Sequence, residues 1–130
     1  MQTKTVYYAH FMGIYDSPQE NRDIETLTNL GFTVLNPNQP GMSELWEKAQ
    51  AHHNGDYDKA FDDLFGGMVR ECDVFAFRGL PNTRIPKGVA RELEVARESK
   101  KLIIELPCAT LSRSMNGEET REYLRDMGQR

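Results

Sequence analysis

A chain of 130 residues, 38% apolar and 28% charged, has the size and composition of one water-soluble domain with a single core. No stretch approaches the roughly 18–20 apolar residues that cross a bilayer, and the N-terminal MQTKTVYYAH has no basic region followed by an apolar run, so a cytoplasmic protein off the membrane is expected. The net charge of −4 argues against a face for a nucleic acid polymer, which needs an excess of Lys and Arg.

No repeat, low-complexity run or Pro/Ser-rich linker divides the chain, so residues 1–130 are read as one domain. Thr3 to Ala9 (TKTVYYA) is β-branched and aromatic and ends at His10 before a loop with Gly13, the profile of a buried first strand. Ser17 and Pro18 open a helix, with Ser17 as cap and Glu20 completing a capping box; Ile24, Leu27 and Leu30 follow at helical spacing, and Gly31 stops it. Phe32 to Leu35 is a second strand. Ser43 to Ala51 has the pattern of a short amphipathic helix, His52 to Tyr57 of a loop, and Tyr57 to Arg70 of a helix despite Gly66 and Gly67. Asp73 to Phe77 is a third strand, Arg78 to Lys87 a polar loop, Gly88 to Ser99 a helix and Lys101 to Leu106 a fourth strand. The ATLSRS segment, residues 109–114, reads as a short fifth strand before a helix over Asn116 to Met127. Strands alternating with helices predict an α/β fold: an open parallel sheet of about five strands with helices on both faces.

Ligands in such sheets bind at the carboxyl ends of the strands. That edge holds His10, Phe11 and Gly13 after the first strand, Asn36 after the second, and the loop with Arg78, Arg84 and Lys87 leading to Gly88. In the Gly88 helix, Val89, Leu93 and Ala96 mark the buried stripe and Glu92 lies about 60° to one side of it. Glu92 is therefore expected half-buried near the ligand edge, either complementing the helix dipole or acting as a carboxylate that the dipole keeps ionised and aimed at a pocket. The three cations and the free N–H groups at Gly88 suit a phosphorylated ligand. His10 is a candidate acid or base. Asp73, at the start of its strand, belongs to the opposite edge, in a structural role. His52 and His53 are adjacent rather than spaced for one metal and no carboxylate or Cys pattern completes a site, so no metal and no cofactor is expected. Cys72 and Cys108 are too few for a disulfide framework. The region of Leu45, Trp46 and Tyr57 is read as a lid or subunit contact.

VYYAH at Val6 to His10, CDVFAF at Cys72 to Phe77 and GVARELEVARESKKLIIEL from Gly88 resemble, in order and spacing, the nucleoside 2-deoxyribosyltransferase family and its nucleotide N-glycosidase relatives. The resemblance implies a flavodoxin-like sheet, Glu92 as the nucleophile that attacks the anomeric carbon of a 2-deoxyribosyl group, and Tyr7 orienting it. It further implies a nucleoside or nucleotide substrate and a homodimer or higher homo-oligomer in which residues 112–123 serve a neighbour's site. The pattern is departed from in places. Glu94 and His10 stand where the family has Gly, Pro86 where it often has Asp or Ser, and Phe65 where it has an acid, with Asp62 and Asp63 a helical turn away. A binding module of the same fold, holding a nucleotide or an ADP-ribose-like signal without turnover, is the alternative, and an assembly protein the third.

Overall fold

The computed structural model describes residues 3–108 and 114–128. The strands β1 (Thr5–Ala9), β2 (Thr33–Leu35), β3 (Val74–Arg78) and β4 (Leu102–Leu106) form one sheet in the order β2-β1-β3-β4, every neighbouring pair parallel. Four strands are described rather than five. Of the expected fifth, residues 109–113 lie outside the described residues and Ser114 is in no regular element.

The period-two alternation of β1 and β3 explains why both faces are covered. Tyr7, Ala9, Phe75 and Phe77 point to one face, where they pack with Val69, Val89, Leu93 and Ala96. Val6, Tyr8, Val74 and Ala76 point to the other, where Leu27 and Leu106 meet them. Helix α1 (Pro18–Asn29), which joins β1 to β2, thus covers one face, while α4 (Gly67–Glu71) and α5 (Lys87–Glu98), on the β2-to-β3 and β3-to-β4 connections, cover the other. This is the layout that right-handed crossovers produce when the chain reverses direction across β1.

α1 begins as its sequence dictates, with Pro18 in the first turn and the Ser17 side chain accepting from the Glu20 N–H at 3.2 Å. The Glu20 carboxylate departs from the capping box and turns to His10 and Asn38 instead. α2 (Met42–His52) leads through a turn to a single long run made of α3 (Tyr57–Phe61), a π-helical turn (Asp62–Gly66) and α4. Gly66 belongs here because a Cβ at that position would lie 2.9 Å from Asp62 Oδ1 and 3.3 Å from both terminal nitrogens of Arg70, the two side chains that pair at 2.5 Å across the turn. α6 (Gly117–Asp126) starts with a full capping box between Asn116 and Glu119 and buries none of its residues. Among the described residues no helix is long and apolar enough to cross a membrane.

Asp73 lies at the start of β3, at the amino edge of the sheet. Its Oδ2 accepts from the Thr5 N–H at 2.9 Å, and this bond, with that from the Thr5 hydroxyl, holds the carboxyl below the usual carboxylate range. It ties β3 to β1, as its place in the sequence led one to expect.

Candidate functional site

Glu92 sits in the second turn of α5, at the carboxyl edge of the sheet. It is only 7% exposed, deeper than its angular position implied. The Tyr7 hydroxyl, on the face of β1 that packs against α5, donates to Glu92 Oε2. No acidic residue occupies the first turn of α5, so Glu92 neither complements the free N–H groups of the helix nor is kept ionised by them. Desolvation decides its charge instead: burial pushes the carboxyl up to about 7, and the Tyr7 hydrogen bond offsets only part of that. Burial first, and then the neighbouring Glu92 carboxylate, raise Tyr7 well above the usual phenol range, so Tyr7 stays a donor at every pH the protein meets. Tyr15 is raised to about 12, by burial and then by Glu92 and Glu20.

Above Glu92 opens a cavity of about 610 Å³, within the size range of small-molecule sites. Its walls are aromatic: Tyr15 from the first loop, Trp46 from α2, Tyr57 and Phe61 from α3, and Phe65 from the π turn. Trp46 meets Tyr57 edge-on at 5.3 Å and Phe65 at 5.7 Å, which makes one continuous π surface. Pro37, Asn38 and Gln39 form part of the rim, and Pro86, Gly88 and Val89 bring the start of α5 to it. Helical spacing identifies Phe61 and Phe65 as a buried face; nothing local in the sequence says that the cavity lies between them and Trp46.

A polar network lies behind the cavity. The His10 side chain is fully buried, stacked on Tyr8 with centroids 3.8 Å apart. Its Nδ1 donates to the Tyr8 carbonyl at 3.0 Å, and its Nε2 lies 2.7 Å from Glu20 Oε2. Both ring nitrogens are thus engaged by partners within the protein. Burial raises the Glu20 carboxyl, but bonds from His10, Asn38 and the Asp16 N–H outweigh it and leave it below the usual range. On the α1 side of the sheet, Asp23, only 2% exposed, accepts from the Tyr8 hydroxyl and takes a two-pronged bond from Arg78 Nε at 2.6 Å and a terminal nitrogen at 2.8 Å.

That pairing corrects the expected cation cluster. Arg78 is drawn to α1 by a carboxylate distant in sequence, and neither it nor Arg84 nor Lys87 lines the cavity. His10, Phe11, Gly88 and Glu92 do line it; Gly13 and Asn36 do not, the Asn36 side chain accepting from the Asn38 N–H at 2.9 Å in a local turn. Asp63 faces away from the cavity, toward His52 and His53, with which it forms the one cluster of metal-ligand type found among the described residues. No family model and no curated protein matches the chain.

Proposed function

We propose that the protein cleaves the N-glycosidic bond of a 2-deoxynucleoside, with Glu92 as nucleophile and Tyr7 as the residue that orients it. The observation that carries this reading is the buried Tyr7–Glu92 pair at the floor of an aromatic cavity on the ligand edge of a parallel sheet. The Glu92 carboxylate attacks the anomeric carbon as the bond to the base breaks, the bond pair leaves with the base, and a glycosyl ester remains. Water, or a second base, then displaces Glu92 and restores the carboxylate. Tyr7 donates to one carboxylate oxygen and leaves the other to react. The aromatic walls suit the faces of a nucleobase, which stacks without regard to its edge pattern. No Lys or Arg is among the described residues lining the cavity, which favours the uncharged nucleoside over its monophosphate.

The same reading includes a homo-oligomer and a cytoplasmic setting. It is supported by α6, which buries nothing yet exposes Tyr123, and by two cysteines that are free. The commitment of both His10 nitrogens favours a second reading, a module that binds a nucleotide or ADP-ribose-like signal without turnover, because His10 then supplies no proton to a leaving base. Incubation with deoxynucleosides and deoxynucleoside monophosphates, followed by chromatography for free base, separates the two. Base release that Glu92→Ala abolishes supports the enzyme; release that survives Glu92→Ala removes the nucleophile; saturable binding without release selects the module.

A further inference from the structure

We propose that His52, His53 and Asp63 form a site for a divalent late transition metal such as Zn²⁺, on the far side of the helices that wall the cavity. One ligand atom from each lies within 4.8 Å of the others, and His53 Nε2 is 3.0 Å from Asp63 Oδ2. Adjacent residues on a regular helix diverge by about 100°, which is why the sequence alone speaks against this pair. Here the backbone is not regular. α2 ends at His52, and its cap His53 departs from helical geometry at φ −102° and ψ 19°; the two rings meet edge to face with centroids 4.8 Å apart. The third ligand comes from the π turn, an irregularity that recurs where a helix presents functional side chains.

The surroundings leave the three groups available. Arg70, which with Lys59 lines the same surface hollow, is held by Asp62 rather than by Asp63. His52 and Asp63 are exposed and His53 partly so, which gives an ion an entry path and the side chains room to close to about 3.4 Å, the ligand separation of a tetrahedral ion with bonds of about 2.0–2.1 Å. Two imidazoles and one carboxylate select zinc, nickel or copper over magnesium or calcium, and leave the fourth position to water. The ion takes the place of the His53–Asp63 hydrogen bond, with both imidazoles ligating in their neutral form. It joins the end of α2 to the π turn, and Trp46 and Phe65 of those same elements wall the cavity, so occupancy stiffens that wall.

The inference is independent of any activity at Glu92, and its test uses the untagged full chain freed of metal with a chelator. Calorimetric titration with ZnCl₂ is expected to show one ion per chain at micromolar affinity or tighter, with no saturable heat from MgCl₂. His52→Ala and Asp63→Asn are each expected to weaken binding at least about tenfold, and a zinc-dependent rise in melting temperature is expected to vanish with them. The substituted positions are at the surface, so the variants keep the fold, which circular dichroism checks. Absence of saturable zinc binding, or binding unchanged in the His52→Ala, Asp63→Asn double variant, overturns the site.

Discussion

Replacing Tyr7 by Phe removes one oxygen and leaves the ring packed in the core, where its centroid lies 6.0 Å from that of Phe75. What is lost is, among the described residues, the one side-chain hydrogen bond that lowers the proton affinity of a carboxylate 7% exposed. A hydrogen bond to a charged group contributes about 1.5–3 kcal/mol, so the affinity of Glu92 for a proton rises by about 10- to 150-fold. The wild-type group, titrating at about 7, is about half ionised at neutral pH. In Tyr7→Phe that fraction falls to between about 7% and 1%. The assay is a pH profile of base release, run beside a carbon-13 titration of the Glu92 carboxyl that needs no turnover. Wild-type kcat/KM is expected to climb with pH to a plateau above about 7. The variant's climb is displaced to higher pH with the plateau kept within a few-fold. A Glu92 titration unmoved by Tyr7→Phe would refute the argument that this hydroxyl sets the carboxylate's charge.

The same burial predicts a cost to stability. Glu92 titrates near 7 when folded and near 4.5 when free, so its neutral form favours the fold below about 4.5 and this benefit is lost as pH rises through about 7. Glu92→Gln is therefore expected to be more stable than wild type at pH 8 by up to about 3 kcal/mol in urea unfolding, and equal to it at pH 4; equal stability at both pH values counts against the shift. Arg78→Met strands the Asp23 carboxylate and is expected to destabilise by about 3 kcal/mol while leaving the affinity for a deoxynucleoside intact. A weakened affinity in a folded Arg78→Met protein would return Arg78 to the site. Trp46→Ala removes a stacking wall worth about 1–3 kcal/mol and is expected to raise KM about tenfold with kcat little changed, whereas an unaltered KM places the base elsewhere.

The fold was legible because its signals are local. Alternation in Val6 to Ala9, the cap at Ser17 and Pro18, and the 3–4 spacing of Val89, Leu93 and Ala96 each act within a few residues, and parallel pairing follows from their order. The site was legible where the chain's direction alone sets position: Glu92 and His10 reach the carboxyl edge because the strands before them end there. What stayed hidden depends on contacts between distant segments. Arg78 is claimed by Asp23, fifty-five positions away, and Glu20 leaves its own cap for His10, ten positions back. Asp63 faces outward because a π turn, which no periodicity announces, resets the helix face beneath it. The depth of Glu92 is of the same kind, since its burial comes from Tyr7 and the aromatic wall rather than from its own helix.

The chain has one tryptophan, and it is Trp46. Its indole stands edge-on to Tyr57 and beside Phe65 in the wall of the cavity. The protein therefore carries its own optical probe. Excited at the red edge of its absorption, the emission reports from a single place, and a planar base sliding against that indole quenches it without any label. Global unfolding moves the emission colour instead, because the ring passes from an aromatic wall into water. Filling of the cavity and loss of the fold can thus be followed separately in one cuvette.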